Sequence, residues 1–523
     1  MIAPAEVSPR RLRLWPAVVV LLGAVVAIAV IRSDAAKTFQ QRNLSTLSAA
    51  AVTLGVLLLW WLLGSGVRWK TRFVGLLWIL ILLGGGVAMF RIRGVSGDLV
   101  PILEPRWRGW HLAGPGPESA SAPNPPKPAP SAASTIAFPQ YLGPTRDGLL
   151  PPPSRAWSTN WTARPPEVVW KHPIGAAWSG FVIAEGRAWT QEQDGEQELV
   201  TCYDLATGAR LWTHRDSARY ATTIAGEGPR ATPTLNGGRV VTLGATGILN
   251  CLDRVTGDIR WSRELQKELN AGMPGWGFAS SPLIVDGLVI VIAGGSNDRS
   301  VAAFDLETGA LKWAGGSHGA SYSSASIATL AGVPQVLAFN SSHLTSHNPA
   351  TGAVLWDHAF GNSQPHVAMP VVLGTNQVLI SAGYGMGAEL VDVSRQANGG
   401  LTNRSVWLSK KLKAKFANVF ARGGFAYGLD DGILACLDLR DGSQRWKEGR
   451  YGHGQGLVSG EWYLLMAESG ELVLLHPTPD GAGELGRFRV FSSKTWNPIA
   501  VSGNLVLVRN DLEAALVRLP EIP

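Results

Sequence analysis

The chain has 523 residues, a formal net charge of +7, 46% hydrophobic and 16% charged residues, and three cysteines. So few cysteines exclude a disulfide-stapled scaffold, and so large an apolar share excludes a disordered chain. Part of the positive charge flanks apolar segments near the N-terminus, so the excess does not argue for nucleic-acid binding.

Three apolar stretches come first, over 14–31, 47–64 and 73–90, each uncharged and flanked by Arg or Lys. At about 18 residues and 1.5 Å per residue, each is long enough to cross a hydrocarbon layer. The sequence therefore predicts a membrane anchor of three transmembrane helices within residues 1–95. Reading the first stretch as a cleaved signal peptide fits less well, because two further spans follow and no small-x-small site does. Arg10, Arg11 and Arg13 precede the first span, and Arg68, Lys70 and Arg72 fill the loop between the second and third. Both clusters on the cytoplasmic side satisfy the positive-inside bias and put whatever follows the third span outside the cytoplasm. Residues 96–137 are rich in Pro, Ala, Ser and Gly towards their C-terminal side, which predicts an extended linker.

From residue 138 onward a short pattern recurs. It reads Asp204-x-x-Thr207-Gly208-x-x-x-Trp212, then Asp253-x-x-Thr256-Gly257-x-x-x-Trp261, then Asp305-x-x-Thr308-Gly309-x-x-x-Trp313. It returns as Asn348-x-x-Thr351-Gly352-x-x-x-Trp356 and Asp438-x-x-Asp441-Gly442-x-x-x-Trp446. A repeat of roughly 40 to 50 residues is one supersecondary unit that buries its faces only by stacking on copies of itself. Within residues 231–265 the unit resolves into four short strands, 231–235, 239–243, 248–252 and 259–261, separated by Gly-rich turns. In the last turn the Asp can cap backbone N–H groups and the Gly can take a positive φ. The Trp then falls on the outermost strand, where it can wedge against the next unit.

Four-stranded units arranged radially make a β-propeller. Trp170, Trp212, Trp261, Trp313, Trp356, Trp407 and Trp446 mark seven outer strands and Phe488 marks an eighth. The expected fold is thus an all-β eight-bladed β-propeller over 138–523, preceded by three transmembrane α-helices. Because 168–170 precedes any complete blade, that strand should complete the last one and close the ring. Cys202, Cys251 and Cys436 hold equivalent third-strand positions in three blades, which predicts separate packed thiols.

The Asp-x-x-Thr-Gly-x-x-x-Trp pattern resembles the repeat of pyrroloquinoline-quinone (PQQ) dehydrogenase propellers and of the BamB-type outer-membrane assembly factor. The segment Phe138-Pro-Gln-Tyr141-x-Gly143-Pro-x-Arg146-Asp147-Gly148 resembles the opening motif of PQQ-like β-propeller repeat proteins. The resemblance covers about 385 residues and implies the fold more specifically than the function.

Loops joining an outer strand to the next inner strand should converge on the mouth of the central channel. They place Arg230, Trp276, Tyr322, His366, Asn418, His453, Gln455, Trp496 and Asn497 as candidate ligand-binding residues. No catalytic residue and no metal ligand is assigned. The resemblance offers PQQ and calcium as cofactors under an oxidoreductase reading, in which Trp276 or Trp496 would stack on the quinone and Arg230 would pair with a carboxylate. Those loop segments contain no Asp or Glu, and Glu227 only precedes one, so calcium would find Asn418 and Asn497 alone. The adjacent cysteine pair of many such dehydrogenases is absent. His343-x-x-x-His347 has zinc-like spacing but lies in a strand and turn region with no nearby acidic third ligand, which reads as a surface pair, and Gly383-x-Gly385-x-Gly387 reads as a hairpin turn.

The favoured expectation is a non-catalytic binding or envelope-assembly scaffold on a bacterial inner membrane, with its propeller on the periplasmic or extracytoplasmic side. Its partners would be the membrane and envelope proteins, not nucleic acid. The alternative is a PQQ-dependent membrane-bound oxidoreductase of an alcohol or sugar.

Overall fold

A computed structural model of the chain describes residues 12–34, 37–108 and 138–522. It divides into two compact units, residues 1–112 and 113–523.

In the first unit, α1 (Trp15–Ser33), α2 (Phe39–Leu59, continued by a π-turn over Trp60–Gly64) and α3 (Trp69–Met89) are all long and apolar enough to cross a membrane. The second helix starts eight residues before the apolar stretch does. Thr38 and Gln41 form a capping box there, which satisfies orphan N–H groups at a polar helix start. Residues 96–108, read from sequence as the start of the linker, contain ordered structure instead. Strand Phe90–Val95 pairs antiparallel with Pro101–Pro105, and Arg91 forms an ion pair with Glu104 at 2.9 Å. Residues 109–137 of the expected linker lie outside the described residues.

The second unit is the propeller. Eight sheets follow one another, each with four antiparallel strands, and the seventh gains a short fifth, parallel strand, Leu149–Leu150. Blades 1 to 7 span 182–216, 234–264, 283–315, 326–359, 371–409, 420–450 and 455–489. Blade 8 takes three strands from 500–518, and its outermost strand is Glu167–Pro173 from the start of the propeller. This pairing closes the ring with early chain on late chain and leaves no open edge between first and last blades.

The repeat pattern now has a physical cause. In each turn the Asp or Asn side chain accepts from a backbone N–H: Thr207 N to Asp204 Oδ1 is 2.9 Å, and Thr308 N to Asp305 Oδ1 is 2.9 Å. The Gly that follows has positive φ, and it lies flat against the Trp of the preceding blade. A Cβ on Gly257 would come within 2.5 Å of the Trp212 ring, and one on Gly309 within 2.6 Å of Trp261. The indole N–H then donates into the same neighbouring turn, from Trp170 to Leu205 O, Trp261 to Leu306 O and Trp407 to Leu439 O, each at 2.9 Å. Trp, Gly and Asp are therefore parts of one staple between blades.

Cys202, Cys251 and Cys436 are free and buried, each paired in register with the Trp of its own outer strand. Burial pushes the thiols up, to about 12 for Cys202 and about 11 for the other two, so they act as core side chains.

Candidate functional site

The channel axis is occupied by the segment from Phe138 to Leu150. Phe138 bridges to Ile183 in blade 1, Leu235 N donates to Pro139 O from blade 2, and Leu149–Leu150 runs parallel to Val458 and Ser459 in blade 7. Arg146 reaches furthest. Its guanidinium is 4% exposed and donates to the carbonyls of Ala325 at 2.8 Å and Pro282 at 3.1 Å, in blades 4 and 3. Tyr141 OH accepts from Asn418 Nδ2 at 2.7 Å, from the loop entering blade 6. One short segment touches six blades, which is possible only at the axis, so the opening motif is a plug. Burial lowers Arg146 to about 10, and the carbonyls around it spread its charge.

Above the plug, aromatic rings from non-adjacent blades meet across the axis. Trp276, on the loop entering blade 3, stacks on Tyr322, entering blade 4, with centroids 4.8 Å apart and planes at 27°. Its edge meets Phe416, entering blade 6, at 5.8 Å, and Phe416 meets Trp496, entering blade 8, at 5.0 Å. Trp496 lies 4.9 Å from Trp178 of blade 1, and His453 lies 5.3 Å from Phe416. Two lysines cap this cluster: Lys494 Nζ is 3.9 Å from the Trp496 centroid, and Lys415 Nζ is 4.9 Å from that of Tyr384. Cation–π contacts of this kind hold a charge over the rings, with Lys415 buried and Lys494 half-buried.

The structure brings together Trp276, Tyr322, His453 and Trp496 of the residues named from sequence. Arg230 sits at the margin, over the Tyr220 ring at 4.3 Å, with its guanidinium donating to the carbonyls of Ala225, Gly226 and Gly228. Burial lowers it to about 10.

The remaining four residues are turned to another task. His366 is fully buried, stacked on Phe339 at 4.3 Å with Nδ1 2.7 Å from Asn340 O, and burial lowers it to about 4. Asn418 Oδ1 accepts from Met369 N at 2.8 Å, Gln455 Nε2 donates to Phe416 O, and Asn497 Nδ2 donates to Ala177 O at 3.0 Å and Ser179 O at 2.9 Å. Thr232 and Ser281 make equivalent bonds, accepting from Gly180 N at 3.1 Å and Thr232 N at 3.0 Å. Together these form a polar belt in which one blade satisfies the backbone of its neighbour.

Two features come from the other loops on this face, the turns between second and third strands. Tyr384 enters the cluster 6.4 Å from Trp276, carried on a positive φ of 57° in the glycine-rich turn. Carboxylates also enter here. Asp431 is raised by burial and lies 3.5 Å from Lys413 Nζ, while its neighbour Asp430 pairs with Lys413 and, at 2.6 Å, with Lys447. Glu198 accepts from Ala245 N at 3.0 Å and burial pushes it up to about 7. The loop segments carrying the candidate residues contain no Asp or Glu, and the adjacent turns bring carboxylates to the same face.

Calcium does not fit this donor set. Asn418 bridges the plug and blade 5, Asn497 is bound to blade 1, and Asp430 and Asp431 face lysines whose charge opposes a dication. A planar quinone fares little better as the rings stand. Sandwiching it requires flanking rings about 7 Å apart, whereas Trp276 and Tyr322 already stack on each other at 4.8 Å.

The model of the family described as outer membrane protein assembly factor BamB matches residues 196–448. Among solved structures, the propeller is similar to the BamB of Moraxella catarrhalis, at 15% identity over 68% of this chain and 100% of that one, with a TM-score of 0.49. It is also similar to the quinohemoprotein alcohol dehydrogenase of Comamonas testosteroni, at 15% identity over 75% of this chain and 82% of that one, TM-score 0.53. A second such dehydrogenase, from Pseudomonas putida HK5, aligns at 11% identity over 74% and 81%, TM-score 0.54. No curated protein matches the sequence significantly. At these identities the dehydrogenases share the fold alone with this chain, and by repeat, blade count and family match the chain carries an eight-bladed PQQ-like repeat propeller behind three apolar helices.

Proposed function

We propose that this chain is a membrane-anchored, extracytoplasmic propeller that acts as a non-catalytic binding or envelope-assembly scaffold. The three apolar helices anchor it, and the mouth docks an extended segment of a partner protein. The observation that carries this reading is the self-stacked aromatic mouth of Trp276, Tyr322, Phe416 and Trp496. Such a surface offers ring faces to a segment laid across it, without a preformed slot for a planar cofactor. The blind channel beneath, plugged by Arg146 and Tyr141, gives a rigid base and no passage. The family match to an envelope assembly factor is consistent with a partner protein as the ligand.

The alternative, a PQQ-dependent oxidoreductase of an alcohol or sugar, keeps one observation in its favour: aromatic rings and cations suit an anionic aromatic quinone. The full chain in detergent, titrated with PQQ and Ca²⁺ by calorimetry and quinone absorption, discriminates the two readings. We expect no saturable binding at high micromolar cofactor, together with recovery of envelope proteins that Trp496→Ala and Lys494→Ala abolish. One-to-one PQQ binding would overturn the scaffold reading.

A further inference from the structure

Blade 4 carries a second group of chemistry-bearing side chains. Five of the chain's ten histidines fall between 318 and 366, and three of them have evident structural partners. His347 is buried with Nδ1 3.0 Å from Gly352 O and Nε2 2.9 Å from Thr345 Oγ1. His358 is held between Glu389 and Asn403, at 3.1 and 2.7 Å, and His366 belongs to the core.

The other two are arranged differently. His318 lies on the loop that leaves the outer strand of blade 3, and His343 opens the third strand of blade 4. Their rings lie face to face, with centroids 3.7 Å apart and planes at 10°. Both turn Nε2 towards Asp357 on the outer strand of blade 4, His318 at 2.7 Å from Oδ2 and His343 at 4.0 Å from Oδ1. The three side chains are 26%, 28% and 42% exposed, so the group opens to solvent. His343 Nε2 is too far from the carboxylate for a hydrogen bond, and its Nδ1 is buried without a hydrogen-bond partner. Two stacked imidazoles cannot both carry a proton without mutual repulsion. A single divalent cation would satisfy both nitrogens and the carboxylate at once.

We propose that His318, His343 and Asp357 form a binding site for one transition-metal ion of the zinc class. Two imidazole nitrogens and one carboxylate oxygen are a donor set for four-coordinate Zn²⁺ with an open position for water or a partner's ligand. The three candidate donor atoms lie within 4.8 Å of one another. Metal–ligand bonds of about 2.0–2.2 Å in a tetrahedron put donor atoms roughly 3.3 Å apart, between the two separations seen here. Completing that geometry takes a swing of the two partly exposed rings out of their face-to-face stack, so that both in-plane lone pairs point at the ion, and the exposed Asp357 side chain follows. The backbone behind the donors is fixed: Ser300 Oγ donates to His318 O at 2.6 Å, and Asn403 Nδ2 donates to Asp357 O at 3.1 Å. His318 stands four residues before Tyr322, so a bound ion would clamp the loop that delivers this ring to the channel mouth.

The test uses the full chain in detergent, without a histidine tag, washed with chelator and titrated with Zn²⁺ and then Co²⁺. We expect one equivalent of Zn²⁺ with a sub-micromolar Kd, and visible absorption bands from Co²⁺ in a low-symmetry site. His318→Ala and His343→Ala should each weaken binding by about 100-fold and Asp357→Asn by about 10-fold. His476→Ala removes a partly exposed histidine of blade 7, outside the cluster, and should bind as the unaltered chain does. All three cluster residues are partly exposed, and circular dichroism checks that each variant is folded. Absence of any binding tighter than millimolar, or a bound equivalent that persists in all three variants, would overturn the proposal.

Discussion

The two faces of the propeller are built on opposite rules. On the face of the Asp-x-x-Thr-Gly turns, blades repeat one another: a capped turn, a positive-φ glycine and a tryptophan ring laid on that glycine from the preceding blade, with an indole bond into the next blade from Trp170, Trp261, Trp313, Trp407 and Trp446. On the face of the mouth no single residue recurs through the blades, and the loops entering them carry Trp276, Tyr322, Phe416, His453 and Trp496. Where blades repeat, the side chains satisfy inter-blade packing, which every blade needs equally. Where they diverge, no shared packing rule demands the residue, and a role specific to this chain is the remaining cause. The polar belt is the boundary between the two, because its side chains vary while their bonds serve the same end.

The largest effect that sharpens this contrast is expected on the repeating face. Trp261→Ala removes a buried indole, its bond to Leu306 O and its contact with Gly309. The loss should be about 3–5 kcal/mol, read as a lowered midpoint in urea or thermal unfolding of the full chain. If that variant unfolded at the same midpoint as the unaltered chain, the staple would not be the unit of stability and the contrast would collapse.

A smaller effect belongs to the mouth face. Glu198 titrates near 7 because burial disfavours its charge, with Asp216 adding to the shift and the Ala245 N–H opposing it. Its folded-state value lies above the ordinary carboxylate range. The protonated carboxyl therefore contributes stability that is fully present below that range and is lost as pH rises towards 7. Glu198→Gln removes the titration and keeps the acceptor for Ala245 N. The variant should match the unaltered chain near pH 4 and exceed it by about 1–2 kcal/mol at pH 8. Parallel stability profiles across this window would show that Glu198 pays no burial cost.

The repeating face was legible in the sequence because its physics is local. Asp253, Gly257 and Trp261 lie within nine residues, and a five-fold recurrence makes their spacing visible without any long-range knowledge. Ring closure by the strand at Trp170 was legible for the same reason, as a surplus copy of the pattern. The mouth was only half legible. Residue type identified Trp276, Tyr322, His453 and Trp496, yet it equally nominated Asn418, Gln455, Asn497 and His366, which serve the belt and the core. What separates the two groups is which backbone group each side chain faces, and that depends on a neighbouring blade 40 or more residues away. Tyr384 lies in a glycine-rich turn that gives no sign of its ring reaching Trp276, and Asp431 lies in a turn outside the loops that enter the inner strands. In sequence His343 pairs with His347, four residues on, whereas the fold sets it against His318 and Asp357.

The most discriminating variant is the one expected to change stability least. Trp276 is half-buried, and its ring touches Tyr322, Tyr384 and Phe416, all from the mouth and none from the repeat. Its backbone N–H donates to Tyr322 OH at 3.1 Å, a bond that survives truncation of the side chain. Trp276→Ala should therefore cost only the ring pairs, about 1 kcal/mol, against about 3–5 kcal/mol for Trp261→Ala, although both remove the same chemical group. Partner recovery should follow the reverse order, lost with Trp276→Ala and retained with Trp261→Ala at temperatures where that variant stays folded. If the two tryptophans proved equal in both measurements, divergence among the mouth loops would be drift over a uniform core, and the mouth would lose its claim to be the site.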